Sequence, residues 1–219
     1  DTIRQIDRGE VGRLRVGIVG SAMWGPIPSL LEQFQTNFPK VTWTLHELGP
    51  NVQYEALRAK QIDVGFWREP ALDADELKHD NLRQELCFKE NVCVAVNENS
   101  PLAARASIDL KDIADQPMLT LAQDKSSFPR YLIQCCVDAG FQPQIFQEAF
   151  EPQTLLAMVG AGLGVALMPE TTSRIGWPGV VFVPIKNPPS ANLYIAYTTQ
   201  DDAPVVRAFL NILNPAAAT

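Results

Sequence analysis

Several short stretches of polar and aromatic residues have the chemistry to bind an organic anion. Gly20, Ser21, Ala22 and Met23 follow an apolar run and precede a helical pattern. Backbone N–H groups at the start of a helix, together with a serine hydroxyl, can hold a carboxylate through hydrogen bonds and partial positive charge. A serine at such a place also caps many helices. Ser21 therefore either contacts a ligand or caps the helix that follows.

A second candidate stretch lies where the next strand pattern gives way to a helical one. Pro50 and Asn51 follow Gly49 at that turn. Asn51 can cap the helix, contact a ligand or do both. Pro50 offers neither a hydroxyl nor an N–H group. Both residues are candidate ligand contacts.

The third strand pattern ends in an aromatic residue and an arginine. Trp67 either forms a wall of a binding site or belongs to the core. Arg68 can form two parallel hydrogen bonds with a carboxylate. Its alternative partners are the neighbouring acids Glu69 and Asp63, with which it would form a surface salt bridge.

The second half of the chain supplies a matching set. Ser126, Ser127 and Phe128 begin one helical pattern, and Gln153 and Thr154 begin another. Phe128 can stack on or cover an apolar ring. The alternative for all five is helix capping and packing.

Composition excludes several other kinds of site. The net charge of −7 and a pI near 4.9 argue against binding of nucleic acid or an anionic membrane by these residues. His46 and His79 have no metal-ligand spacing, and no nucleophile motif is visible. Cys87 and Cys93 are interpreted as buried thiols rather than a redox pair. We therefore expect no catalytic residue, no metal and no cofactor.

The elements that must position the candidate residues alternate along the chain. The first three strand patterns are separated by two helices, which predicts a parallel βαβαβ unit. A second α/β unit follows a crossing near Asn97, and the chain returns near Leu193. A final amphipathic helix is predicted from Pro204. The strand patterns begin at Leu14, Val41, Ile62, Met118, Gln144, Leu163, Val180 and Leu193.

These elements resemble the LysR-type transcriptional regulators. The segment LRVGIVGSAMWGPIPSLLEQFQTNFPKVTWTLHELGPNVQYEALRAKQIDVGF is similar to their first subdomain, with its helix ending before FP and its I-D-x-G strand. TLLAMVGAGLGVALMP is similar to the helix, Gly-x-Gly, strand and proline of their second subdomain. The resemblance extends from about Gly12 to Pro215. The GSAMWG loop most resembles the subgroup that senses aromatic compounds, although Pro50 stands where that subgroup has a hydroxyl residue.

The resemblance implies an α/β fold of the periplasmic-binding-protein type II kind, with two subdomains joined by two crossover strands and a ligand cleft between them. Residues 1–12 are then the tail of a linker helix, 13–96 with 194–219 form subdomain I, and 97–193 form subdomain II. The effector-binding residues expected in the cleft are Ser21, Ala22, Met23, Pro50, Asn51, Trp67, Arg68, Ser126, Ser127, Phe128, Gln153 and Thr154.

The implied function is control of transcription by a small organic effector, expected to be an anion, in a bacterial cytoplasm and not at a membrane. The family forms homodimers or homotetramers, and Trp43 and Phe34 are either part of that interface or core residues. DNA binding would require an N-terminal winged helix-turn-helix domain that these residues do not contain, and RNA polymerase would be a partner of the full-length protein. The main alternative is a periplasmic solute receptor of the same fold, followed by an enzyme on this fold.

Overall fold

The computed structural model describes residue 5 and residues 8–68, 81–124, 126–199 and 203–213. The chain divides into two compact units. Unit 1 comprises Asp1–Trp67, Ala71–Phe88 and Leu193–Thr219, and unit 2 comprises Arg68–Pro70 and Lys89–Asn192. Each unit has its own mixed β-sheet and its own apolar core.

The described residues form strands and α-helices in an alternating order. In chain order they are β1 (Val11–Ile18), α1 (Ile27–Asn37), β2 (Lys40–Glu47), α2 (Pro50–Arg58), β3 (Val64–Arg68), β4 (Leu82–Phe88), β5 (Val92–Asn97), β6 (Pro117–Leu121), α3 (Ser127–Asp138), β7 (Gln144–Ala149), α4 (Pro152–Gly160), β8 (Val165–Pro169), β9 (Val180–Pro184), β10 (Leu193–Thr198) and α5 (Pro204–Leu213).

The sheet of unit 1 has the order β2-β1-β3-β10-β4. β1 pairs in parallel with both β2 and β3, which confirms the predicted βαβαβ unit. β10 closes the sheet by pairing with β4 in the antiparallel sense. Because the first three strands are parallel, the residues that follow β1, β2 and β3 all lie at one edge of the sheet.

The sheet of unit 2 has the order β7-β6-β8-β5-β9. β6 is parallel to β7 and β8, whereas β5 is antiparallel to β8 and β9. The residues that follow β6 and β7 therefore lie at one edge of this second sheet. The two sheets share the same plan, in which parallel strands with helical connections are completed by an antiparallel strand from a distant part of the chain.

The crossing out of the first unit comes earlier in the structure than the sequence predicted. β4 ends at Phe88, and β5 pairs with β8 and β9 of unit 2. The first crossing is therefore at residues 88–89 rather than 96–97. Val11 and Gly12 belong to β1 and not to a linker helix, while residues 1–4, 6 and 7 of that proposed helix lie outside the described residues.

The core of unit 1 is built around aromatic side chains. Phe34 is fully buried, and its ring meets that of Phe209 edge-on, with 5.0 Å between the ring centroids. Phe66 also contacts Phe209, so α1, β3 and α5 meet at one cluster. Trp43 is only half-buried, and its indole N–H donates to Gln35. Phe34 is thus a core residue, whereas Trp43 remains a candidate for an interface.

No helix in the described part of the chain is both long enough and apolar enough to span a bilayer.

Candidate functional site

Ser21 lies in a short 3₁₀ turn, Gly20–Trp24, rather than at the start of the first α-helix. The Ala22 N–H donates to the Val19 carbonyl at 2.9 Å, so it is already used within the turn. α1 begins only at Ile27, after Pro26. The expectation that Ser21 stands at the N-terminus of an α-helix is therefore wrong, and Ser21 does not cap α1.

The side chains around this turn do not favour an anion. Ala22 is buried, and Met23 is half-buried and packs against the unit 1 core. A carboxylate oxygen of Glu47, the last residue of β2, lies against Gly20. Because two carboxylates in close contact repel each other, the binding of a carboxylate effector beside Gly20 is disfavoured unless the Glu47 side chain moves.

Asn51 is an exposed residue in the first turn of α2 and is not the helix cap. Pro50 occupies the first helical position, where its missing N–H costs nothing, and Gly49 becomes the N-cap. Gly49 has no side chain with which to cap the helix. Asn51 is therefore exposed at a helix start that has no side-chain cap, at the carboxyl edge of the sheet.

Trp67 belongs to the core of unit 1. Its side chain is only 1% exposed and packs with Leu57 and Leu82. The indole N–H donates to Gln84 Oε1 at 3.1 Å. The ring is therefore fixed by apolar contacts and by one hydrogen bond, which favours the core alternative over a wall of the ligand site.

Arg68 forms a buried ion pair with Glu90 rather than a surface salt bridge with Asp63. Nη1 of Arg68 lies 2.5 Å from a carboxylate oxygen of Glu90, and both side chains are at most 4% exposed. The same nitrogen donates to the Ala191 carbonyl at 2.7 Å. Burial lowers the pKa of Arg68, and the Glu90 carboxylate opposes that shift. Asp63 pairs instead with Arg15.

Glu90 is the centre of this buried network. Its other carboxylate oxygen accepts the Thr171 N–H at 2.6 Å, and its own backbone N–H donates to Asn192 Oδ1 at 3.1 Å. Arg68 and its partners in this network all belong to unit 2. The guanidinium of Arg68 is engaged by protein acceptors, and this favours a structural role over carboxylate binding.

Ser126 caps α3, and Phe128 packs beneath it. The Ser126 hydroxyl accepts the Phe128 N–H at 3.2 Å. Phe128 is 7% exposed, belongs to the unit 2 core and stacks on Tyr131. Ser127 is half-buried in the first turn. Ser126 therefore realises the capping alternative, and Phe128 realises the packing alternative.

Gln153 and Thr154 are exposed in the first turn of α4, and the side chain before them does not cap the helix. Pro152 occupies the first helical position, and the N-cap residue Glu151 makes no side-chain cap bond. The N–H groups of Gln153 and Thr154 belong to the first turn, where an α-helix provides no internal acceptor. These N–H groups favour an anion at the start of α4, and the exposed carboxylate of the N-cap residue Glu151 opposes one.

Sequence reasoning missed three residues that bear on the site. Glu90 gave no signal because its partner lies 22 positions away and the two meet only in the fold. Gln53 reads as an ordinary polar residue of a helix, yet it is fully buried. Phe150, directly before the α4 turn, is 74% exposed, and its place between a strand and a helix start is a signal that the sequence did contain.

The cysteines show no sign of thiolate chemistry. All four are free thiols. Burial raises the pKa of Cys87 to about 11 and that of Cys93 to about 12. Burial likewise raises the pKa of Cys136 to about 12, with a contribution from Cys135. Thiols with such pKa values are poor nucleophiles near neutral pH. Cys93 and Cys136 are buried, whereas Cys87 and Cys135 are only half-buried, so the expectation of a buried thiol holds for Cys93 and not for Cys87.

Comparison with known proteins gives one consistent answer. The model of the LysR substrate binding domain matches residues 7–218. The HTH-type transcriptional regulator XapR of Escherichia coli is 34% identical over 96% of the chain, which spans 70% of that protein. The HTH-type transcriptional regulator AlsR of Bacillus subtilis is 31% identical over 94% of the chain, which spans 67% of that protein.

A solved structure agrees with these matches. The BenM effector binding domain with its effector benzoate superposes with a TM-score of 0.82 at 26% identity, covering 94% of this chain and 92% of that one. BenM is an HTH-type transcriptional regulator of Acinetobacter baylyi. The two-unit α/β architecture described above is therefore that of an effector-binding domain of the periplasmic-binding-protein type II kind.

Proposed function

The chain belongs to the LysR substrate binding domain family, and on this basis we propose that it senses a small organic anion and controls transcription as part of a longer regulator. The observation that carries the proposal is the superposition, over nearly the whole of both chains, on the BenM effector binding domain with its effector benzoate, which is a carboxylate. The related proteins are transcriptional regulators, and we propose no catalytic role.

The start of α4 supports an anionic effector. Gln153 and Thr154 are exposed, their first-turn N–H groups are not capped by Glu151, and the helix is nine residues long. Partial positive charge and N–H donors at such a position favour a carboxylate. Phe150 lies four residues before Thr154 and offers an aromatic surface to the apolar part of the same molecule.

The other candidate residues enter the proposal with different weights. Asn51 is exposed at the uncapped start of α2 and is a second polar contact. Ser21 and Ser127 are half-buried and offer hydroxyl groups. The apolar candidates contribute to the shape of the site; they are Ala22, Met23, Pro50 and Phe128. The remaining three act indirectly: Trp67 packs in the core, Arg68 forms the buried ion pair and Ser126 caps α3.

Thr154→Glu tests the anion site directly. For an organic acid that binds the wild-type domain, we expect the affinity in titration calorimetry to fall about tenfold or more, ~1.4 kcal/mol, because the new carboxylate repels the effector. The ligand-free protein should be as stable as the wild type or slightly more so, since an acid in the first helical turn is favourable.

Thr154→Gln is the matched control, because it has the size of the glutamate without its charge. We expect its affinity to stay within about twofold of the wild type. Equal losses in the two variants would mean that shape rather than charge is recognised at this position. Unchanged affinity in Thr154→Glu would remove the start of α4 from the site.

Two edge strands support assembly of the protein with a second copy of itself. β2 is an edge of the unit 1 sheet and carries the half-buried Trp43 and the exposed Leu45. β7 is an edge of the unit 2 sheet and carries Ile145 and Phe146, which is 60% exposed. Strand edges with exposed apolar side chains are usually covered in a native protein. We therefore propose a homodimer, or a tetramer built from it.

In the full-length regulator the effector would act through a shift between two states. A ligand that binds one arrangement better than another raises the population of that arrangement, by no more than its difference in affinity. DNA binding would be carried out by a winged helix-turn-helix domain outside these residues. The way in which that domain binds DNA would then depend on which arrangement of the effector-binding domain is populated. Contact with RNA polymerase and a cytoplasmic location belong to the same proposal.

A further inference from the structure

Gln53 is a fully buried polar residue inside unit 1. It lies in α2, four residues after the N-cap Gly49, and its side chain faces the sheet. Its Nε2 donates to the Leu48 carbonyl at 2.8 Å and to the Phe66 carbonyl at 3.1 Å. Both N–H groups of the amide are therefore used, and both acceptors are backbone oxygens.

These two carbonyls belong to the ends of different strands. Leu48 follows β2, and its own N–H donates to the Ile18 carbonyl of β1 at 2.9 Å. Phe66 lies in β3, and its carbonyl also accepts the Val19 N–H at 3.2 Å. One carboxamide thus ties together the strand ends that lead into Ser21, Asn51 and Arg68.

The oxygen of the same amide has no hydrogen-bond partner among the described residues. Oε1 of Gln53 is buried and unsatisfied. It packs against Gly17 and Gly65, which lie opposite each other in the β1–β3 pairing. A Cβ atom added to either glycine would come within 3.0 Å of this oxygen for Gly17 and 2.8 Å for Gly65.

The unsatisfied oxygen lowers stability, but an apolar side chain of similar size would leave the Leu48 and Phe66 carbonyls without the donors of this amide. Buried polar atoms without a hydrogen-bond partner are expected mainly at functional positions. The amide is nevertheless accommodated, by two glycines and two strand-end carbonyls. The benefit of the amide therefore lies in these two hydrogen bonds and in the strand-end geometry that they fix.

We propose that Gln53 is a positioning residue that sets the spacing of the three strand ends at the effector-binding edge of unit 1. It acts through the Leu48 and Phe66 carbonyls and does not touch the effector itself. This role rests on the proposed function, since the spacing of that edge matters for sensing only if the edge contributes to effector binding.

Gln53→Met tests the proposal by hydrogen–deuterium exchange on the ligand-free protein. The change keeps the length of the side chain and removes both donors and the unsatisfied oxygen. We expect exchange in peptides covering residues 18–25, 47–52 and 64–68 to become about tenfold faster, because the three strand ends open locally. Peptides covering α1 and α5 should stay within about twofold of the wild type.

Gln53→Leu is a second apolar replacement in case the methionine variant folds poorly, and Gln134→Met is the matched control on an exposed glutamine of α3. Unchanged exchange at the three strand ends would overturn the proposal. An equal increase in α1 and α5 would also overturn it, because it would show a general loss of stability. The measurement uses no ligand, so a wild-type protein that binds no organic acid contradicts the proposed function separately.

Discussion

Glu90→Ala is expected to lower the free energy of unfolding by about 3–5 kcal/mol, measured by urea denaturation. The change removes the carboxylate from a buried pair and leaves the charge of Arg68 without its counter-ion. It also removes the acceptor of the Thr171 N–H. A buried charge without compensation is the main cause of such large losses, and the burial of Arg68, 4% exposed, places it in that class.

Glu55→Ala is the matched control for this change. Glu55 pairs with Arg58 one turn along α2, and the two side chains are 66% and 46% exposed. Exposed pairs contribute about 0–1 kcal/mol, so this variant should unfold close to the wild type. If Glu90→Ala cost no more than Glu55→Ala, the buried network would not be a stabilising part of unit 2.

Phe34→Ala is expected to cost about 3–5 kcal/mol of unfolding free energy, measured in the same way. Phe34 is fully buried, and its ring contacts Phe38 and Phe209, with 5.2 Å and 5.0 Å between the ring centroids. Truncation leaves a cavity where α1 meets α5, and a well-packed cluster can only partly collapse into it. A loss of this size is what the core position of Phe34 predicts.

Phe150→Ala provides the same chemical change at a side chain that is 74% exposed. We expect its unfolding free energy to stay within about 0.5 kcal/mol of the wild type. A small effect of Phe34→Ala that grew with protein concentration would instead indicate that Phe34 contributes to a subunit interface.

Much of the fold was predictable because its strands are apolar runs with sharp ends. Val64–Arg68 and Val165–Pro169 are buried along their whole length, which is why the mostly apolar patterns beginning at Ile62 and Leu163 identified them. The parallel order of β1, β2 and β3 followed from the intervening helices. The break between β4 and β5 was not predictable from pattern alone, because β5 is defined by its partners β8 and β9.

The site was predicted less well, since helix starts depend on details of one or two residues. Pro50 moves the cap of α2 back to Gly49 and so leaves Asn51 inside the first turn. The 3₁₀ turn at Gly20–Trp24 delays α1 and removes Ser21 from its start. Local propensities do not resolve such shifts, whereas the Ser126 cap was recognisable as a serine directly before a helical pattern.

Long-range polar partners were beyond the sequence altogether. Arg68 has acids close by in the chain, yet its partner Glu90 comes from the start of the crossing segment. The carboxamide of Gln53 meets two carbonyls that only the finished sheet brings together. Both cases concern buried polar groups, whose partners are chosen by the fold and not by the neighbouring residues.

The central claim is tested most directly by a thermal-shift screen of the wild-type domain against organic acids, each paired with its uncharged amide. We predict that at least one acid raises the melting temperature by several degrees at about 100 times its dissociation constant, where binding contributes about 2.7 kcal/mol. Its amide should give little or no shift, because the start of α4 favours a carboxylate. Stabilisation by no acid in a broad panel, or equal stabilisation by acid and amide, would contradict the assignment of this domain as a sensor of an organic anion.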